Sequence, residues 1–378
     1  MILHSKQLEK CCLNNQKLHK LYCNFKEVQI VKRSFFSVII ALFIFLITPI
    51  IIHAKEVILG GNNIGIELKT PGLMVSGTYD VGSYNPSKDA NIKKGDIIIK
   101  VNGQKIASID DFIAILSKQT KNEVSFKVEL LRKEQTIFTN MKVIREDSTS
   151  PWKTGLFVKE RILGTGTLTY YDPENHTYGA LGHKMSSADN ASSFETGNIF
   201  TSYVNGIKKS SNGNPGQKIA TINEEDHIGD ITFNNEYGIY GNYKMTENSF
   251  KIETASINEV QPGKAYIYTV LDGDKIEKYE IEIIRLKKQN KIDTKGISFK
   301  IVDEKLLKKT GGVVSGMSGS PIVQNGKLIG AVTHVVVDKV NYGHGIYIDW
   351  MLEQSNIISK NKNLAFFNKK GLMPLVLI

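Results

Sequence analysis

Residues 316–332 read GMSGSPIVQNGKLIGAV, a serine between glycines followed by two short apolar runs. Asn325-Gly326 separates the two runs and is typical of a two-residue β-hairpin turn. Glycines on both sides of Ser318 permit a tight turn that exposes its hydroxyl. The backbone amides of Gly316 and Ser318 could then point at an oxyanion. The stretch therefore predicts a β-structured body that carries an exposed nucleophile.

A serine hydroxyl is a weak nucleophile unless a base lies beside it. Five histidines follow residue 53. His183 is distinctive because it follows the string YGALG, which predicts a strand end and a turn, where a site can form. A single histidine is more often a surface or packed residue, so the string alone leaves that alternative open. The five are His176, His183, His227, His334 and His344.

Most of the chain consists of short apolar runs joined by loops rich in Gly, Asn and Asp. From 152 to 358 this pattern predicts an all-β barrel or sandwich. Its predicted strands include 166–170, 265–270, 278–283 and 297–301. No glycine-rich nucleotide motif and no solenoid repeat is present, and no metal or organic cofactor is predicted.

A smaller segment, from Glu56 to about Arg145, predicts a small sheet with one or two helices. Residues 110–118, DDFIAILSK, have helical spacing, with Phe112, Ile113 and Leu116 on one face and Asp110 as the expected N-cap. The polar stretch 146–151, EDSTSP, is predicted to be a linker. The predicted strands of this segment are 64–66, 73–75, 97–99 and 124–128.

Residues 34–52 form an uncharged apolar run that predicts a transmembrane anchor. As a helix the run would be about 28 Å long, close to the thickness of the hydrocarbon layer. Lys32 and Arg33 precede it, so residues 1–33 are expected in the cytoplasm and the remainder outside. A cleaved signal peptide is the alternative. A polar stretch without strand character, 53–57, follows the run and is a candidate site for self-cleavage and release.

Charge and cysteine content exclude several classes of protein. The net charge is +10, and residues 1–33 supply seven basic and two acidic side chains, 7 − 2 = +5, so the much longer remainder carries only +5. Neither this charge nor the expected location favours a nucleic-acid partner. All three cysteines, Cys11, Cys12 and Cys23, precede residue 34, which excludes a disulfide framework or a cysteine zinc site in the remainder.

Residues 90–106, ANIKKGDIIIKVNGQKI, resemble the corresponding string of PDZ domains, with Asn91 in place of the usual glycine. The resemblance covers about ninety residues. PDZ domains bind peptide tails by adding a strand to a sheet edge. The resemblance implies that the peptide-binding loop and strand are formed by Gly72, Leu73, Met74 and Val75. An ordinary core strand is the alternative. The apolar end of the tail 359–378 is a candidate ligand for this groove.

The string GMSGSP is similar to the nucleophile motif of chymotrypsin-like serine peptidases, with Met317 in place of the acidic residue. Together with the predicted anchor, the PDZ-like segment and five further strings, this motif makes the chain resemble the SpoIVB peptidase family. The strings are GTGTLT (164–169), YYDP (170–173), GALGH (179–183), GNPG (213–216) and GAVTHV (330–335).

The resemblance implies a mainly β chain, with an α+β PDZ domain and then a chymotrypsin-like barrel-type peptidase domain. The family's serine falls on Ser318, its histidine on His183 and its aspartate on Asp303. Ser318 would attack the scissile carbonyl, His183 would carry the proton and Asp303 would orient the imidazole. Asp226, Asp230 and Asp272 remain rivals for that last role.

The expected function is a membrane-anchored serine endopeptidase whose PDZ domain binds peptide tails. By resemblance, it cleaves a partner membrane protein, and itself, in signalling across the space between forespore and mother cell during sporulation. The alternatives are an HtrA-like envelope quality-control peptidase and a catalytically inactive PDZ scaffold. HtrA-type chains place the peptidase before the PDZ domain, the reverse of the order here, and a scaffold would be expected to lose the serine or the histidine.

Overall fold

The computed structural model describes residues 55–133, 135–186, 194–244 and 250–369, with side chains up to 360. Within these ranges no helix combines the length and apolar character that crossing a bilayer requires. The predicted anchor at 34–52 and the apolar end of the tail at 371–378 lie outside the described residues.

The described elements follow one another in a strand-rich order. The strands are β1 Glu56–Leu59, β2 Asn63–Thr78, β3 Ile97–Val101, β4 Gln104–Lys105, β5 Glu123–Arg132, β6 Gln135–Ile144, β7 Leu156–Asp172, β8 Thr177–Ala180, β9 Gly197–Lys208, β10 Gln217–Ile231, β11 Phe233–Asn235, β12 Gly238–Asn242, β13 Lys251–Glu253, β14 Gly263–Val270, β15 Ile276–Leu286, β16 Ile297–Ile301, β17 Pro321–Gln324, β18 Lys327–Val335 and β19 Tyr342–Tyr347. The helices are α1 Pro86–Asp89, α2 Ile109–Ser117, α3 Glu304–Thr310 and α4 Ile348–Lys369.

The first thirteen strands form one extended sheet. Its main path runs β11-β12-β8-β7-β2-β3-β5-β6, and β9 and β10 continue from β2. The series from β12 to β10 curls back on itself, because Gly229 of β10 forms a bridge with Tyr243 just after β12. Ile64, Ile66, Tyr178 and Ile199 fill the enclosed space, so this half has a core of its own.

The last six strands form a closed barrel in the order β14-β15-β16-β19-β18-β17, with β17 pairing back to β14. Ile267, Ile281, Phe299 and Ile322 are fully buried inside it. The alternation of apolar and polar residues in 265–270, 278–283 and 297–301 places these runs in β14, β15 and β16. The chain is therefore mainly β with a β-barrel, as the sequence predicts.

Strand β2 unites two runs that the sequence separates at Pro71-Gly72. Its first part pairs with β7 and β9, and its second part with β7 and β3. The register between β2 and β7 shifts between Lys69 and Met74. The Thr70 hydroxyl donates to the Glu160 carbonyl at 2.7 Å, and this hydrogen bond connects the two strands at the shift. Proline is tolerated in a strand at such a bulge, so the run does not end there.

The predicted helix of the smaller segment is present, but its cap and its buried face differ from the prediction. Ser108, not Asp110, is the N-cap, because its hydroxyl accepts the Asp111 amide in a capping box. Phe112, Ile115 and Leu116 are buried, whereas Ile113 is 54% exposed. Ile113 lies about 100° around the helix from Phe112, and so turns away from the core.

The predicted glycine and asparagine turns are confirmed by the backbone. Asn102 and Gly103 have φ of 48° and 79° between β3 and β4, and Asn325 and Gly326 have 51° and 77° between β17 and β18. These left-handed pairs match the two-residue hairpin that Asn-Gly favours. Asn91, which replaces the usual glycine, has φ of 54°.

The ends of the described chain differ from the sequence-based expectation. Residues 56–59 form β1, which pairs with β13 and β7, so residues 56–57 of the stretch expected to lack strand character are part of the main sheet. At the other end α4 continues to Lys369, so the segment expected to be a tail from 359 is helical for eleven residues, 359–369.

The predicted linker 146–151 is a turn, in which the Asp147 carboxylate accepts the amides of Thr149 and Ser150.

Candidate active site

Ser318 lies on a tight turn that leads into β17 of the barrel. Gly316 and Gly319 have φ of 91° and 89°, a left-handed conformation that residues with a Cβ rarely adopt. At Gly319 a Cβ would also lie 2.0 Å from the carbonyl oxygen of Thr167. Both glycines flanking the serine are thus required by the backbone, as the sequence predicts.

Two threonines of β7 hold the carbonyl groups of this turn. The Thr167 amide donates to the Ser318 carbonyl at 2.9 Å, and its hydroxyl donates to the Gly316 carbonyl at 2.8 Å. The Thr169 hydroxyl donates to the Gly319 carbonyl at 2.7 Å. Both threonines are fully buried, so these bonds are shielded from water and fix the direction of each peptide plane.

The amides of Gly316 and Ser318 are available for a ligand. Among the described residues neither donates to a protein acceptor, whereas the neighbouring amides of Met317, Gly319 and Ser320 all do. Two free N–H groups beside a serine hydroxyl are the arrangement that binds a developing oxyanion in acyl transfer. The geometry thus places the two predicted oxyanion donors in a suitable position.

His183 follows β8, after Leu181 and Gly182 turn the chain with φ of 67° and 68°. Its Nε2 lies 2.8 Å from the Ser318 hydroxyl oxygen, although 135 residues separate the two in sequence. Its Nδ1 lies 2.9 Å from the Lys184 carbonyl, which can only accept, so Nδ1 carries the proton and Nε2 is free to accept one from Ser318.

The surroundings keep the His183 imidazole neutral. Burial lowers the pKa of His183 below its usual value, and the Lys184 carbonyl opposes this to a smaller extent. The His334 ring lies 5.2 Å from the His183 ring, and burial, followed by the proximity of His183, lowers the pKa of His334 to about 4. A neutral imidazole near pH 7 is the form that can act as a general base.

Asp303 is not brought to this pair. It ends the segment after β16 and is the N-cap of α3, where its carboxylate accepts the Leu306 amide at 2.9 Å and the Glu280 amide at 3.3 Å. In the described part of the chain neither Asp303 nor any rival aspartate hydrogen-bonds His183. The Lys184 carbonyl occupies the position that the resemblance assigns to Asp303.

Asp303→Ala is expected to lower the free energy of unfolding by about 1 kcal/mol, because the first turn of α3 loses its cap. Asn also caps helices, so Asp303→Asn is expected to unfold close to the wild type in urea. The kcat/KM of Asp303→Asn then tests whether Asp303 also orients His183, the role that the resemblance assigns to it. Activity within a few-fold of wild type fits a cap alone, whereas a loss of several powers of ten would show that Asp303 orients His183 during turnover.

The predicted peptide-binding strand of the PDZ domain has no free edge. Leu73 and Met74 pair with Ile98 and Ile97 of β3, and Met74 and Val75 pair with Lys159 and Val158 of β7. Gly72 is equally enclosed, since a Cβ there would lie 2.1 Å from the Ile98 carbonyl oxygen. Residues 72–75 are therefore a core strand, the alternative that the sequence left open, and strand addition there would first require β7 or β3 to leave.

Several residues around the pair had no role in the sequence-based prediction. Thr167 and Thr169 lie in the GTGTLT string, and His334 lies in GAVTHV, but neither string indicates what these side chains contact. Lys218 carried no signal, because a single lysine in a strand usually lies at the surface. The described residues hold no group of three or more His, Cys, Asp or Glu side chains arranged for a metal ion.

Residues 150–352 match the family model described as SpoIVB peptidase S55. This chain belongs to the SpoIVB peptidase S55 family. It is a serine endopeptidase, and residues 63–143 match the PDZ domain model. Among solved structures, an inactive form of the Rv3671c protease is similar over 50% of this chain and 82% of that one, at 12% identity and a TM-score of 0.30. The active form from M. tuberculosis is similar over 51% and 73%, with the same identity and TM-score. No curated protein sequence matches the chain.

Proposed function

We propose that this S55 peptidase is anchored in a membrane and cleaves a partner membrane protein, and itself, in signalling between forespore and mother cell. The observation that carries the proposal is the Ser318–His183 contact of 2.8 Å beside two amides that donate to no described residue. The apolar run 34–52 supports the anchor, and the family supports the role in sporulation.

The geometry supports a chymotrypsin-like acyl-transfer reaction. Ser318 attacks the scissile carbonyl while His183 Nε2 takes its proton, and the Gly316 and Ser318 amides bind the oxyanion. The Lys184 carbonyl stabilises the imidazolium through Nδ1–H. His183 then gives its proton to the leaving amine. Water hydrolyses the acyl-enzyme with the same histidine as base, which restores the serine.

The cleft in front of the pair favours an extended polypeptide over a small substrate. It is open and polar, and His183, Lys184, Glu236, Thr294 and His334 contribute to its lining. Lys184 and Glu236 lie 3.6 Å apart across it, so both signs of charge face a bound chain. Protein substrates with polar residues near the scissile bond fit such a surface.

The two alternatives fit less well. An inactive scaffold has no need of an assembled serine and histidine beside two amides that donate to no described residue, and all of these are present here. An HtrA-like chain carries its PDZ domain after the peptidase, whereas residues 63–143 precede both His183 and Ser318. Peptide binding by the PDZ domain would use a surface other than the paired strand 73–75.

The proposed function is tested with full-length protein in membranes of an endospore-forming host. Wild type and Ser318→Ala are produced at equal levels, and the N-termini created in extracytoplasmic segments of membrane proteins are mapped by mass spectrometry. The proposal requires at least one new N-terminus that depends on Ser318 and whose blockage stops sporulation. Full sporulation with Ser318→Ala would refute it.

A shorter, active form is expected to leave the membrane by a cut at or before Lys55. The Lys55 amide contacts the Thr254 hydroxyl at 3.2 Å, its ammonium pairs with Asp172, and Val57 is fully buried in β1. A cut inside β1 would remove these contacts from the main sheet. Sequencing the N-terminus of the released form measures this, with Ser318→Ala as the uncut control. An active form that begins after Glu56 would contradict it.

A further inference from the structure

Lys218 of β10 is buried where the first sheet meets the barrel. Its Nζ lies 2.9 Å from the Thr269 hydroxyl on β14, and 3.3 Å from both the Thr167 hydroxyl on β7 and the Asn63 side-chain oxygen on β2. No carboxylate in the described part of the chain forms an ion pair with it. A lysine buried without an acidic partner is costly, so its place calls for a specific explanation.

The oxygens around Nζ are arranged to accept hydrogen bonds. The Asn63 amide group donates to the Ser202 hydroxyl at 2.9 Å, which turns the Asn63 oxygen towards Lys218. The Thr167 hydroxyl donates its only proton to the Gly316 carbonyl, so its oxygen can only accept a hydrogen bond from Nζ. An ammonium carries three donors and meets three oxygens here, so the cage fits the charged form of the side chain.

Lys218 is also joined to the turn that offers the oxyanion donors. Its own amide donates to the Ser315 carbonyl at 2.9 Å. In a trans peptide unit the C=O and N–H point in opposite directions, so this bond directs the Gly316 N–H away from β10 and towards the site. The stem of Lys218 packs beside Gly316, where an added Cβ would lie 3.1 Å from Lys218 Cδ.

We propose that Lys218 is a positioning residue of the peptidase reaction, whose ammonium holds the Gly316 turn through Thr167 so that the Gly316 amide faces the oxyanion. The ammonium polarises the Thr167 hydroxyl, which tightens its bond to the Gly316 carbonyl. The inference rests on the serine peptidase reaction and on Gly316 as an oxyanion donor.

The proposal predicts that kcat decreases as the pH rises through neutrality, which gives the pH profile of kcat a descending alkaline limb. Burial lowers the pKa of Lys218 to about 7. The elements packed against its Nζ present Asn63, Thr167 and Thr269, all uncharged, and no charged group is among the causes of the shift. Because the protonated form is the active one, kcat falls as the pH rises through about 7. The ascending limb belongs to His183, whose pKa is lowered by burial, so it lies below the usual histidine range.

The test compares kcat and KM of full-length wild type and Lys218→Met between pH 5 and 9, with Lys264→Met as control. Lys264 is an exposed lysine paired with Glu280. Lys218→Met is expected to lower kcat about ten- to a hundredfold, less than removal of a whole oxyanion donor, with little change in KM. Lys218→Met is also expected to lose the decrease in kcat near pH 7. Lys264→Met should keep both the wild-type kcat and that decrease.

Two further variants keep the test decisive if Lys218→Met does not fold. Thr167→Val breaks the link to the Gly316 carbonyl and is expected to lower kcat and flatten the limb. Thr269→Val removes an acceptor that does not touch the turn, and is expected to move the limb to lower pH because the ammonium loses a partner. An unchanged limb in all folded variants would overturn the proposal, as would a loss of kcat with the limb intact. Ser318→Ala, run in parallel, reports separately on the peptidase reaction.

Discussion

Ser318→Ala is expected to lower kcat by about 10⁶-fold, because the hydroxyl that forms the acyl-enzyme is gone. The fold should persist. Among described residues the Ser318 hydroxyl forms hydrogen bonds with His183 Nε2 and the Thr333 carbonyl alone, and a methyl group fits the same space. The measurements are cleavage of a protein substrate, labelling by a fluorophosphonate and thermal unfolding.

Ser320→Ala is the matched control for this substitution. Ser320 lies two residues away and is fully buried, and its hydroxyl has no hydrogen-bond partner within the described residues. Its removal is expected to leave both activity and thermal unfolding near those of the wild type. Substantial cleavage by purified Ser318→Ala would end the assignment of Ser318 as nucleophile.

His183→Ala is expected to be nearly as damaging as Ser318→Ala. Without the imidazole, no described side chain receives the Ser318 proton, and the Thr333 carbonyl at 3.0 Å can accept a hydrogen bond but not a proton. The two residues act as one unit, so the double variant is expected to be no slower than either single variant. Single-turnover rates on one peptide substrate measure this.

His176→Asn serves as the histidine control. His176 lies in a turn with φ of 54° and contacts the Tyr171 hydroxyl at 3.0 Å, and asparagine accepts that backbone conformation. Its activity is expected to match the wild type. If the losses of Ser318→Ala and His183→Ala multiplied in the double variant, the two residues would act independently and the proton transfer between them would be refuted.

Sequence alone was sufficient for features that depend on local chemistry. The glycines around Ser318, the Asn-Gly turns and the alternating runs of β14 to β16 each depend on a few adjacent residues, and the structure has them as predicted. The family resemblance joined His183 to Ser318, a pairing that no local pattern shows because 135 residues separate them.

Features decided by tertiary contacts were not predictable. The lack of a hydrogen bond between Asp303 and His183, the closed edges of residues 73–75 and the burial of Lys218 all follow from which strands become neighbours. Nothing in the string QKIAT distinguishes Lys218 from a surface lysine, and only the approach of Asn63, Thr167 and Thr269 encloses it. The carbonyl that orients His183 belongs to Lys184, and a backbone group leaves no trace in sequence.

The strand pair β2–β7 has a consequence for how the PDZ segment could be removed from the chain. Lys69 and Arg161 are directly opposite partners in it, and residues 70–160 leave and return at that one place. Residues 70–160, which contain most of the PDZ match, are thus an excursion from a single antiparallel strand pair. A two-residue Asn-Gly turn joining Lys69 to Arg161 would close this strand pair into a hairpin without residues 70–160.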